Sequence, residues 1–222
     1  MTAATLARLD VELRRLRSPT TAQIRAVRRG LSRELKHSAA LDVLALAERL
    51  VARDDAFDRF LAYELIAAHP AAMASLGRTT LRRLGRGMDS WGDVDTFASY
   101  VAGPAWREGQ LPDVEIARWA RSSDRWLRRA ALVSTVALNC RARGGTGDVR
   151  RTLAVCELAV GDPDPMVVKA LSWALRELAK RAPEPVERFV ARHASDLAPL
   201  VRREVRSKLS TGLKSPRRGA GS

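Results

Sequence analysis

The sequence predicts an all-α protein, a superhelical solenoid of two-helix repeats with a basic concave face. Three observations predict it. Apolar residues recur at helical spacing along nearly the whole chain, as in Leu41-Val43-Leu44-Leu46-Ala47-Leu50-Val51 and Leu153-Val155-Cys156-Leu158-Ala159. No stretch alternates with period two for long enough to read as a sheet. A helix-opening motif also returns at a near-constant interval, which is the signature of stacked repeats.

Taken in chain order, residues 1–35 read as a basic helical cap interrupted near Ser18-Pro19. Residues 36–213 form the repeat domain, punctuated by His69-Pro70, Gly85-Arg86-Gly87, Gly103-Pro104, Gly144-Gly145, Gly161-Asp162-Pro163 and Ala182-Pro183. Residues 214–222 (KSPRRGAGS) read as a disordered basic tail able to touch phosphates without sequence preference. The recurring motif is an Asp, one spacer and a large apolar residue: Asp58-Arg59-Phe60, Asp89-Ser90-Trp91, Asp124-Arg125-Trp126 and Asp164-Pro165-Met166. Ala198-Pro199-Leu200 keeps the spacing without the Asp. The apolar positions 60, 91, 126, 166 and 200 stand 31, 35, 40 and 34 residues apart, the length of a helix pair. Each Asp is expected to cap its helix, accepting from orphan N–H groups at the positive end of the dipole. Three residues past the apolar position, three units carry a cation: Arg129, Lys169 and Arg203. On the second helices of stacked pairs these would line the concave face as a basic stripe.

Charge sets the class of partner. The 222 residues hold 39 Lys plus Arg against 25 Asp plus Glu, a net charge of +14, and the excess is nearly all arginine. Arginine's planar fork suits phosphate, so nucleic acid leads, with a merely solvated basic surface as the alternative. Two cysteines, Cys140 and Cys156, and three scattered histidines show neither a disulfide framework nor metal-ligand spacing. No metal-dependent chemistry is expected. The opening MTAATLARLDVELRRLR lacks an apolar signal core, so a cytoplasmic protein is expected.

Candidate chemistry centres on Trp91 and Asp95, spaced i, i+4 and therefore neighbours on one helical face, with Asp93 near the opposite side. An indole face attracts positive charge, and a carboxylate can stabilise an oxocarbenium-like sugar or orient a water against it. The plain alternative is a core tryptophan beside a solvated Asp. Arg129 follows Trp126 by three residues, in the register of Val94 next to Asp95, which would bring it to the Trp91–Asp95 face to grip a phosphate. Arg128 takes that role if the register shifts by one. Lys169 and Trp173 share another face, as a DNA contact or as a packing Trp with a snorkelling Lys. Trp106 and Trp119 read as packing residues.

Ser90-Trp91-Gly92-Asp93-Val94-Asp95, then Trp126-Leu127-Arg128-Arg129-Ala130-Ala131-Leu132, then Lys169-Ala170-Leu171-Ser172-Trp173-Ala174-Leu175-Arg176-Glu177 resemble, in order, the signatures of the AlkD-like DNA alkylation-repair proteins. The resemblance runs from about residue 50 to 210. It implies HEAT-like repeats and a bacterial monofunctional DNA glycosylase, which removes N3- and N7-alkylated purines from duplex DNA without flipping the base into a pocket. Carried over by position, Trp91 matches the tryptophan beside the lesion's deoxyribose and Asp95 the catalytic carboxylate. Arg129 matches the phosphate-contacting arginine, Trp173 the second aromatic on the cleft. No metal, nucleotide cofactor or lyase lysine is implied, and a monomer suffices. Residues 1–35 show no clear match to the family's longer N-terminal arm, and Arg141–Arg150 (RARGGTGDVR) reads as a lineage-specific flexible loop. The rival reading is a non-catalytic module of the same fold that binds DNA, RNA or a protein partner. The Trp91–Asp95–Arg129 constellation separates the two, because a scaffold has no need of it.

Overall fold

The computed structural model describes residues 20–215 together with Val11. The described residues are helical throughout, with no strand among them. Of the expected N-terminal cap, residues 1–10 and 12–19 lie outside the described residues. Of the expected tail 214–222, residues 216–222 do, while Lys214 and Ser215 are described and Lys214 is ion-paired with Glu204, so the stretch expected to be disordered does not begin at 214. The chain divides into two compact units, Met1–Gly87 and Met88–Ser222, at a point inside the stretch expected to form one repeat domain.

The first unit holds α1 (Thr21–Glu34), α2 (Ala40–Val51), α3 (Ala56–Ala67), α4 (Pro70–Ala74) and α5 (Arg78–Leu84). Thr20 and Gln23 close a capping box on α1, so two orphan N–H groups are satisfied reciprocally. Helices α2 and α3 pack against each other, and Leu46, Leu50, Leu61, Leu65 and Ile66 on them are all buried. The buried Tyr63 donates its hydroxyl to the Leu84 carbonyl at 2.8 Å, tying α3 to the end of α5. Asp58 is not the helix cap that the motif predicts. Asp55 caps α3, accepting from Phe57 N and Asp58 N, while Asp58 is buried in the first turn and ion-paired with Arg53 at 2.9 Å.

The second unit carries the candidate site. Its first rod comprises α6 (Trp91–Phe97), a π segment (Ala98–Ala102) and α7 (Gly103–Arg107). There follow α8 (Asp113–Ala120), α9 (Arg125–Asn139), a 3-10 turn (Arg141–Arg143), α10 (Val149–Glu157), α11 (Pro165–Ala179), α12 (Pro183–Arg192) and α13 (Pro199–Thr211). The first rod packs on α9, α9 on α11 and α11 on α13, while α8, α10 and α12 flank this row. The unit is thus a stack of helix pairs, as the period predicts.

The π segment has a cause in the sequence. Pro104 has no N–H for the Tyr100 carbonyl, and its ring crowds that carbonyl, so the ladder widens. The Gly103 N–H accordingly donates to Ala98 O, five residues back. Gly103 also permits a close approach to α9. A Cβ there would lie 2.6 Å from Ser134 O, 2.7 Å from Ala98 O and 2.7 Å from the Ala137 Cβ. Two of these are backbone atoms that cannot swing aside. Gly103→Ala is therefore expected to destabilise the protein by about 1–3 kcal/mol through overpacking, overriding the gain in helix propensity. Gly30→Ala in α1, where nothing lies within 4 Å, should instead stabilise by roughly 0.5–1 kcal/mol. Thermal unfolding of the two variants should shift in opposite directions.

The stretch Arg141–Arg150 is pinned, not loose. Gly147 N donates to Leu138 O at 2.9 Å, Arg181 reaches Asn139 O and Gly145 O, and Arg107 reaches Ala137 O and Arg143 O. A Cβ at Gly145 would meet Asn139 N at 2.7 Å. The glycines that suggested flexibility let the loop lie flat on the carboxyl end of α9.

Candidate active site

Caps place the site residues. Ser90, Asp124, Asp164 and Ala198 are the N-caps of α6, α9, α11 and α13. Asp124 and Asp164 accept from the backbone N–H two residues on, as expected, but at α6 the cap is Ser90 and not Asp89. Trp91 is consequently the first residue of its helix, whereas Trp126 is the second. Alignment on the caps makes Asp95, Arg129, Lys169 and Arg203 each the fifth residue of its helix. Arg129 therefore stands level with Asp95 itself and not with Val94. A one-residue slip at the helix start hid this from the apolar alignment.

The consequence is a paired carboxylate. Arg129 donates from Nε to Asp95 Oδ1 at 2.9 Å and from Nη2 to Asp95 Oδ2 at 2.8 Å, a bidentate fork between neighbouring helices. Its Nη1 donates to the Met166 carbonyl in the first turn of α11. The Arg129 side chain is buried at 7% exposure, and that of Asp95 keeps 18%. Burial pushes the Asp95 carboxyl above its ordinary value, and the Arg129 and Arg143 guanidiniums pull partly against that rise. The carboxylate is held in a fixed orientation, partly desolvated and still in reach of solvent.

Trp91 is 62% exposed, so the core alternative does not describe it. The other two candidates for packing are buried. Trp106 donates Nε1 to Asp113 at 2.8 Å, and Trp119 sits 6.0 Å from the Phe97 ring. Trp91 and Arg129 border an open cleft of about 470 Å³ whose other walls are Met166, Lys169, Trp173, Arg176, Glu204 and Lys214. Asp95, one turn from Trp91 and bonded to Arg129, stands beside this border. Cations outnumber carboxylates along the cleft, and two indoles line it.

Among the residues that the sequence singles out, the structure brings together Trp91, Asp95, Arg129, Lys169 and Trp173. Arg128 and Arg203 lie elsewhere. Arg128 donates to Asp162 at 2.6 Å and to the Ser122 and Ser123 carbonyls, strapping the start of α9 to the loop before α11. Arg203 is exposed on α13 without bordering the cleft. Three lining residues, Met166, Arg176 and Glu204, have no site role assigned from sequence, and Lys214 is expected to touch phosphates only as part of a disordered tail. Arg176 had a signal, lying three residues after Trp173 and seven after Lys169 on the same helical face. Glu204 had none, and Lys214 stands out only as the first residue of the basic tail.

Cys156 is buried, which pushes its thiol up and makes it an inert packing residue; Cys140 is half-buried and also free. Among the described residues no helix is long and apolar enough to cross a membrane.

Fold and cleft together define an all-helical protein with a cation-rich, tryptophan-flanked groove and one arginine-clamped carboxylate at its edge. Residues 2–209 match the DNA alkylation repair enzyme family, and the chain belongs to that family. The match starts at residue 2, so the N-terminal stretch expected to depart from the family is part of it. No curated protein matches the chain. The family assigns the protein a role in DNA alkylation repair.

Proposed function

We propose that the protein is a monofunctional glycosylase that hydrolyses the N-glycosidic bond of N3- or N7-alkylated purines in duplex DNA. One observation carries the reading: a partly desolvated Asp95 carboxylate, clamped by Arg129, lies one helical turn from the exposed Trp91 at the edge of a cationic cleft. An alkylated purine already bears a positive charge, so its leaving needs little help from an acid. As the C1′–N bond breaks, its electron pair neutralises the base and positive charge passes to the sugar. Asp95 would stabilise that charge and receive a proton from the attacking water, while Trp91 would cover and attract the sugar. The products are the neutral base and an abasic site.

The cleft is open, which suits a lesion handled in the duplex without extrusion. The exposed Lys169 and Arg203 would meet backbone phosphates, Trp173 would offer a second aromatic face, and a monomer suffices. Arg129 is assigned first to positioning, because three of its five N–H groups are already engaged by Asp95 and Met166; the rest can still reach a phosphate. Arg128 is left to its structural strap.

The test is release of 7-methylguanine or 3-methyladenine from methylated duplex DNA. Equal release by the wild type and Asp95→Asn, both at background, would leave only DNA binding and sink the enzymatic reading. The pH profile gives a further expectation. The working form of Asp95 is the carboxylate, so kcat/KM should fall as pH drops through a value raised above that of an ordinary aspartate. A profile flat down to the usual carboxylate range would exclude Asp95 as the group observed.

A further inference from the structure

The far end of the cleft from Asp95 has a polar cluster that the proposed chemistry does not use. Glu204, buried on α13, accepts from the Ser172 hydroxyl at 2.6 Å and lies 3.4 Å from Arg176 Nε. Its other oxygen lies 3.4 Å from Lys214 Nζ. Arg176 thus spends its Nε on Ser172 and Glu204, while no partner holds its Nη groups among the described residues, and it borders the cleft. Lys214 arrives from outside the repeats. Gly212, at φ +72°, ends α13 in the left-handed conformation, and the Ser207 hydroxyl holds the Leu213 carbonyl. That turn brings the Lys214 ammonium back over the cleft, with its side chain still 59% exposed.

Two cations share one buried carboxylate, so the cluster keeps a net positive charge beside unused N–H donors. A carboxylate buried in this way serves as an internal counter-ion that holds both cations extended, and an incoming anion can then meet them preorganised. The spare donors are those of a guanidinium fork and an ammonium, the chemistry that recognises a phosphodiester. Lys214 stands beyond residue 209, where the family match ends.

We propose that Lys214, with Arg176 and anchored by Glu204, forms a second phosphate-binding position in the cleft, occupied by a backbone phosphodiester of the bound duplex. The inference rests on the reading that this cleft binds DNA. The position would grip the strand at a distance from the Asp95–Arg129 pair and contribute to affinity and register.

The experiment measures binding of an unmodified duplex oligonucleotide across a series of salt concentrations. Wild type is compared with Lys214→Gln, Lys214→Arg and Arg188→Gln, the last altering an exposed cation on α12 away from this cleft. Each phosphate neutralised contributes about 0.9 to the slope of log Kobs against log salt. Lys214→Gln is expected to lower the slope by about that amount. Lys214→Arg should restore the slope, and Arg188→Gln should leave it at the wild-type value. An unchanged slope in Lys214→Gln, or an equal fall in Arg188→Gln, overturns the proposal. Base release by wild type is scored separately. Release with an unchanged Lys214→Gln slope removes this position and leaves the glycosylase, whereas a lowered slope without release does the reverse.

Discussion

Asp95→Asn is expected to cut base release by about 10²- to 10⁴-fold, the range lost when a positioned proton-transfer group is removed. Asparagine matches aspartate in shape and can still accept one Arg129 N–H. What it removes is the charge that would face a developing oxocarbenium ion, together with the ability to take a proton from water. Binding should move the other way. Removing a negative charge beside a polyanion site leaves duplex affinity equal or tighter, so the loss should fall on kcat. Unfolding measured in parallel checks that Arg129, now facing a neutral amide, has not opened the helix stack. A variant that stays folded, binds DNA and still releases base at the wild-type rate would remove Asp95 from the chemistry.

Arg129→Met should do more damage to the fold than any other single change at the site. Methionine fills similar space but leaves Asp95, whose side chain is only 18% exposed, without its fork, and leaves the Met166 carbonyl without its donor. Breaking a buried pair from one side costs on the order of 3–5 kcal/mol. With Arg129 gone, burial acts on the Asp95 carboxyl opposed only by the Arg143 charge, so its pKa should climb further. The acid limb of kcat/KM then moves to higher pH than in wild type. Adding Asp95→Leu to Arg129→Met should recover much of the lost stability, because an apolar pair of similar volume is often neutral or better. If Arg129→Met unfolds like wild type and keeps the same acid limb, the clamp is not what holds the carboxylate. A salt slope lowered by about one in a version that stays folded would show that Arg129 touches a phosphate as well.

The structure also changes what Arg129 means. From sequence it stands among the cations of a basic stripe, and only Lys169 and Arg203 of that stripe are exposed. A helix cap explains the difference. Ser90 starts α6 one residue later relative to its tryptophan than Asp124 starts α9, and this brings Asp95 level with Arg129. The same limit applies to Asp58, which has the motif but lies inside its helix because Asp55 caps first. Loop Arg141–Arg150 shows the limit from the other side: its glycines permit both mobility and close packing, and neighbouring carbonyls decide for packing.

By itself the sequence determined the all-helical architecture, the two-helix period, the excess of arginine and the candidate trio Trp91, Asp95 and Arg129. These are local or additive properties, carried by residue type and by spacings of three and four along one helix. Only the tertiary structure decided which charges oppose each other. Arg129 is separated from Asp95 by a whole repeat, and Glu204 from Ser172 and Arg176 by another, so no spacing within one helix relates them. Lys214 joins them only because a left-handed glycine turns the chain back over the cleft. A carboxylate's chemistry depends on burial and on the cation facing it, and both are set by how neighbouring helices stack.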